Sequence, residues 1–280
     1  MVPGMGATRA RIRWLLAALV LVAGSTAGEA LAWNLADRLP GQWTLYNRAA
    51  EGAALGLPVA AGDLDGDGLA DIVITPMNAD SGPGRARSRA GEAIIVLSPG
   101  TIEGERDLAA IDPAALPADV TLVYGADPLD FLGSHVAVAD IDGDGFADAL
   151  IGAQHGDGPD ESRASAGEVV ILWGSETIGG QVIDLADLPR PDVTVIHGAA
   201  AGERFGTWIG AGDFDGDGHD DVIVGADQGN GPDGLRPHAG TTWVVYGGTE
   251  LRDLRTVDLA EPPLPVTRIH GIDPEDHSGC

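Results

Sequence analysis

One acidic loop is written three times in this chain. Its carboxylates are Asp63, Asp65, Asp67 and Asp71 in the first copy, Asp140, Asp142, Asp144 and Asp148 in the second, and Asp213, Asp215, Asp217 and Asp221 in the third. In each copy they stand at loop positions 1, 3, 5 and 9, in the pattern D-x-D-G-D-G-x-x-D. Four like charges in so short a turn repel one another unless a cation lies among them, and all-oxygen ligation is what Ca²⁺ prefers. Glycine at position 6 (Gly68, Gly145, Gly218) permits the sharp turn, and the backbone carbonyl at position 7 (Leu69, Phe146, His219) would complete the cage. The expectation is three Ca²⁺ sites, one per loop.

An EF-hand shares the opening of this motif but also needs a bidentate Glu at position 12 and a helix on either side. Position 12 here is Ile74, Ile151 or Val224, each inside a short aliphatic run that reads as a buried strand. The loop therefore joins strand to strand. Turns rich in Asp and Gly also occur without metal, and it is the recurrence of the same four carboxylates that favours ligation.

The copies belong to a longer repeat. Their first aspartates lie at 63, 140 and 213, spacings of 77 and 73 residues. Before each loop comes a glycine and a small-residue strand (56–62, 133–139, 206–212). After it come an aliphatic strand, a polar turn holding an Arg (Arg85, Arg87 and Arg89; Arg163; Arg236), a third strand, a connection carrying Ile-Asp or Asp-Leu, and a fourth strand at 120–124, 193–196 or 266–269. Four short strands at a fixed period predict an all-β fold of β-propeller blades. A row of β-sandwich modules is the alternative, but about 75 residues with four strands bury too little to stand alone. The expected organisation is a leader at 1–32, then a propeller region at 33–280 with repeats at about 43–119, 120–192 and 193–265 and a truncated fourth from 266.

These residues resemble the FG-GAP repeats of integrin α-subunit propellers and their bacterial relatives. Phe205-Gly206 stands for the Phe-Gly, and Gly152-Ala153-Gln154 and Gly225-Ala226-Asp227 for the Gly-Ala-Pro. The first repeat departs, with Leu55-Gly56 and Thr75-Pro76 at those places. The resemblance covers about residues 43 to 280. It implies a propeller, seven-bladed in integrins, with calcium in loops on one face and ligand recognition elsewhere; three blades and the start of a fourth would then be a fragment of it. The tail keeps the register, since Gly271 to Gly279 repeats the eight-residue step of Gly125 to Gly133 and Gly198 to Gly206. Missing C-terminal repeats or self-association are expected.

Arg9, Arg11 and Arg13 precede an apolar run from Trp14 to Ala23 and then Ala30-Leu31-Ala32, the pattern of a secretion signal cleaved after Ala32. The run is shorter than the roughly 20 residues of a spanning helix, so no transmembrane segment is expected once the signal is cleaved. A secreted, cell-surface or periplasmic location follows. The net charge of −27 argues against a nucleic-acid partner. The lone cysteine, Cys280, excludes an internal disulfide.

No catalytic constellation stands out. His197 and His270 share a repeat position with Tyr124 and read as packing. His135, His155, His219, His238 and His277 show no ligand spacing or Ser/His/Asp pattern. Trp173 and Trp243 read as core and Trp208 as nearer the surface. The expected function is a non-catalytic binding or adhesion module for an extracellular protein or glycan. The alternative is the propeller portion of a larger secreted enzyme of phospholipase or polysaccharide-lyase type.

Overall fold

The computed structural model describes residues 44–47, 55, 58–98 and 104–280; the expected signal and its cleavage site lie outside these residues. Three antiparallel sheets follow one another along the chain. Blade 1 runs Val59–Gly62, Asp71–Ile74, Glu92–Val96 and Val120–Tyr124, each strand paired with the next. Blade 2 runs Leu132–Ala139, Asp148–Ala153, Glu168–Leu172 and Val193–His197. Blade 3 runs Phe205–Gly212, Asp221–Ala226, Thr241–Val245 and Val266–His270. The only α-helix among the described residues is the five-residue Thr249–Asp253. This is the all-β, partial propeller that the repeats predict.

Period-two alternation explains why the middle strands read as unbroken aliphatic runs. In blade 2, Ala149, Ile151, Val170 and Leu172 pack into one core with Val73, Ile95 and Val123 of blade 1. Their neighbours Leu150, Val169 and Ile171 pack into a second core with Val222, Val224 and Trp243 of blade 3. A sheet covered on both faces needs apolar residues at every position. Trp173 and Trp243 are each 1% exposed, whereas Trp208 is 51% exposed, as the sequence implies. The two buried indoles donate to Thr194 Oγ1 and to Glu203 Oε1, at 3.1 and 2.8 Å.

Consecutive blades are also stitched along their edges. Val182–Asp184, from the connection inside blade 2, adds a parallel strand to the outer edge of blade 1, and Thr256–Asp258 does the same for blade 2. Gly104–Asp107 pairs in parallel with Thr44–Asn47. The polar-turn arginines hold this joint. Arg87 pairs with Asp184 at 2.6 Å and Arg163 with Asp258 at 2.7 Å, and both guanidiniums donate to backbone carbonyls, of Ala126 and Gly198 respectively.

The Phe-Gly and Gly-Ala signatures meet at the blade junctions. A Cβ on Gly152 would lie 2.4 Å from the carbonyl oxygen of Gly206, so both signatures must be glycine for the backbones to approach. Blade 1 has Thr75 where blade 2 has Gly152, and its hydroxyl donates to Gly133 O at 3.0 Å. The departure of the first repeat is thus absorbed by a hydrogen bond in place of a bare backbone contact. In the tail, Gly279 sits against Gly225, and Ser278 bridges Gly240 as Phe205 bridges Gly167. The eight-residue register is kept.

Candidate metal centres

Each loop joins the first strand of its blade to the second, and the same backbone frame shapes all three. The position-1 carboxylate accepts from the position-6 glycine N–H, at 2.8 Å for Asp63 and 3.1 Å for Asp140 and Asp213. Position 3 accepts from the N–H of position 5, and position 5 from the N–H of position 7, in every copy. These Asx-type turns curl the carboxylates toward a common centre.

The position-9 aspartate anchors the loop to the sheet. Asp71, Asp148 and Asp221 are buried, and each accepts two backbone N–H groups, one from position 2 and one from beyond the third strand. Burial lifts the pKa of Asp71 and takes Asp148 to about 7. The backbone bonds pull the other way, and the neighbouring loop carboxylates repel. A positive charge at the loop centre would remove that repulsion.

Carboxylate oxygens of Asp63, Asp65 and Asp71 lie within 4.8 Å of one another, as do those of Asp140, Asp142 and Asp148 and those of Asp213, Asp215 and Asp221. The expected position-5 ligands Asp67, Asp144 and Asp217 are not in these groups, and each has one oxygen on the position-7 N–H. The donor set fits a hard divalent cation, and one observation sharpens the fit. Asp63 Oδ1 and Asp140 Oδ1 are buried without a hydrogen-bond partner, a costly state for a carboxylate that a bound cation relieves. The third loop differs. Asp213 Oδ1 accepts from Gly216 N–H at 2.7 Å and from Asp217 N–H at 3.1 Å, and Asp213 is exposed.

The loops are chained to one another. Ala147 N–H donates to Asp63 O at 2.8 Å, and Asp220 N–H to Asp140 O at 3.1 Å, so position 8 of one loop holds position 1 of the loop before it. Side chains follow the same path. The position-7 residues Phe146 and His219 sit on the position-4 glycines Gly66 and Gly143 of the preceding loops. The sequence gives position 7 a carbonyl role only; that its side chain lids the neighbouring loop shows only once the blades stack. Arg252, from the short helix of blade 3, reaches Asp142 and Asp144 of the second loop and lies 5.7 Å from the Trp173 ring centroid. The corresponding place over the first loop is Gly179.

The histidines expected to pack at strand ends make polar contacts to the neighbouring strand. His197 Nδ1 lies 2.9 Å from Glu168 Oε1, and His270 Nδ1 lies 3.0 Å from Thr241 Oγ1. His238 and His277, scattered in sequence, come together beside Glu275.

Comparison with known proteins agrees with the blade order. The FG-GAP repeat model matches residues 59–91, 132–172 and 205–245. Integrin alpha-IIb of Homo sapiens is 30% identical over 175 residues, covering 61% of this chain and 14% of that protein. Its Mus musculus counterpart matches to the same extent. Phosphatidylinositol-glycan-specific phospholipase D of Rattus norvegicus is 34% identical over 125 residues, 45% of this chain and 14% of that protein. The chain thus spans about one seventh of these relatives' length. With the signature glycines at the blade junctions and the three matched repeats falling on the three sheets, the chain is an FG-GAP repeat protein, integrin-α-like in its blades.

Proposed function

We propose that this chain is a calcium-stabilised propeller module of a secreted or surface-exposed protein, and that it binds an extracellular protein or glycan without catalysing a reaction. The observation that carries the reading is the pair of buried, unpartnered oxygens of Asp63 and Asp140 inside carboxylate rings. Ca²⁺ would be held by Asp63, Asp65, Asp67, Asp71 and the Leu69 carbonyl, and by the equivalent residues of the other loops: Asp140, Asp142, Asp144, Phe146 and Asp148, and Asp213, Asp215, Asp217, His219 and Asp221. Its work is charge neutralisation: it lets buried carboxylates stay ionised and so fixes the turns that chain blade to blade. No helix among the described residues is long and apolar enough to cross a membrane. Similarity to integrin alpha-IIb supports an adhesive role.

Calcium at a hundred times Kd adds about 2.7 kcal/mol for one site, so the melting temperature should fall clearly in EGTA. Three ions per chain by titration is the expected stoichiometry, and Asp142→Ala should remove one of them. Identical melting with and without calcium would refute the reading.

A second reading is favoured by the phospholipase D similarity, which covers 45% of this chain. Here the blades form the non-catalytic part of a larger secreted enzyme. Sequencing the gene beyond the codon for Cys280 separates the two, since a catalytic domain supports the enzyme and further repeats leading to an anchor support adhesion.

A further inference from the structure

We propose that His238, Glu275 and His277 form a site for a transition-metal ion of the zinc class, distinct from the calcium loops. His238 Nδ1 lies 3.7 Å from Glu275 Oε2, and His277 Nε2 lies 3.6 Å from the same oxygen. Both separations are too long for hydrogen bonds. They approach the roughly 3.3–3.5 Å edge of a tetrahedron whose ligands sit about 2.0–2.1 Å from zinc. All three ligand atoms lie within 4.8 Å of one another. Two imidazoles and a carboxylate suit zinc and its neighbours rather than calcium, which prefers oxygen alone.

The backbone holds the three residues in place without metal. Glu275 N–H donates to Pro237 O and His277 N–H to His238 O, both at 2.9 Å, which ties the two ligand-bearing segments together. The same junction recurs between the other blades, where Leu129 N–H donates to Ser88 O and Phe131 N–H to Arg89 O, and where Gly202 N–H donates to Ala164 O and Arg204 N–H to Ser165 O. At all three junctions both donors and the second acceptor have positive φ, with His238 at 52°, Glu275 at 66° and His277 at 49°. The repeat thus supplies a fixed three-residue platform. Only here does the sequence place metal-ligating side chains on every position of it.

The other nitrogen of His277 supplies a second, independent observation. Its Nδ1 lies 3.2 Å from the Asp227 carbonyl oxygen, while the neighbouring Gln228 amide donates to Asp227 Oδ2. A cation on Nε2 leaves the ring proton on Nδ1, where the Asp227 carbonyl accepts it. That outer hydrogen bond is the usual device for fixing a ligating histidine's tautomer and aim. All three side chains are solvent-accessible, so an ion can enter and water can fill the remaining coordination position.

The test is titration of Zn²⁺ into the full chain held in saturating Ca²⁺, which keeps zinc off the aspartate loops. One zinc-class site per chain is expected. Its affinity should fall at least about tenfold in His238→Ala and in His277→Ala, and stay unchanged in Glu261→Gln, an exposed carboxylate elsewhere. Glu275→Gln, which preserves side-chain size, repeats the test if an alanine variant does not fold. Absence of Zn²⁺ uptake under these conditions, or uptake with parental affinity in the folded variants, overturns the site.

Discussion

The Phe146 ring lies so close over Gly66 that a Cβ at that glycine would come within 2.5 Å of Cε1. In the first two loops, position 4 therefore has a second reason to be glycine besides its positive φ: it is the floor on which the next blade's position-7 side chain rests. Gly66 has φ +75° and Gly216, its counterpart in the third loop, has φ +82°, but nothing lies within 4 Å of a Cβ at Gly216.

Replacing either glycine by alanine forces an L-residue into the left-handed region, at about 1–2 kcal/mol. Gly66→Ala must also displace the Phe146 ring, for about 1–3 kcal/mol more. Chemical denaturation in saturating calcium should therefore show Gly66→Ala well below Gly216→Ala. Equal loss in the two variants would show that the ring gives way freely and that the loops are not coupled through it.

The three loops should fill unequally. Asp213 Oδ1 is already engaged by two N–H groups, while Asp63 Oδ1 and Asp140 Oδ1 have no partner to give up. In calorimetry the first and second sites should saturate before the third, as read from the phase lost in Asp63→Ala, Asp140→Ala and Asp213→Ala.

Arg252 modifies this order. Its guanidinium neutralises Asp142 and Asp144, two of the oxygens' owners that a second-loop ion would use. Removing it by Arg252→Ala takes a competing positive charge from the site, so the second site should bind calcium more tightly while the first is unaltered. Weaker binding at the second site would mean that the arginine shapes the loop instead of competing for it.

The sequence makes the blades legible because the middle strands of each blade carry a two-faced apolar pattern, and the core positions of Trp173 and Trp243 follow from it. The loops are legible because their ligands are close in sequence. What joins blade to blade is not, because its partners sit in different repeats. Val182–Asp184 is three residues long and finds its pairing strand in the preceding blade, so as a sequence it reads only as a connection. Arg87 is visible as a recurrent basic residue, yet its partner Asp184 lies 97 positions away. His238 and His277 look unrelated for the same reason: a fold-borne junction between repeats brings them together, with no spacing motif to announce it.

Asp130 should give the protein an alkaline weakness. Burial lifts its pKa to about 8, and repulsion from Glu168, Asp127, Asp157 and Glu161 adds to the rise. The folded pKa stands above the ordinary value of 3.8, so this group's contribution to stability is full below about pH 4 and is lost as pH rises toward 8. Asp130→Asn abolishes that loss. In calcium, its melting temperature should pull ahead of the parent's between pH 5 and pH 8, roughly the window in which the half-buried carboxyl ionises. Parallel curves for the two proteins would place the charge in a better-solvated setting than the geometry implies.

The far face of blade 3 should drive association. Trp208 and Ile269 are 51% and 47% exposed and lie at the two ends of one cross-strand row whose middle, Gly225 and Thr242, is crossed by Gly279 of the tail. On blade 2 the equivalent face is covered by a whole sheet of blade 3, whereas here only the tail at Ser278 and Gly279 crosses it, so the apolar side chains at both ends stay open to another sheet. In the chain studied alone, a second copy is the available partner. Light scattering in calcium should show a mass that rises with concentration, and Ile269→Glu should lower it by placing a charge in the contact. A monomer of constant mass over the same range would show that the open face of blade 3 is stable in water.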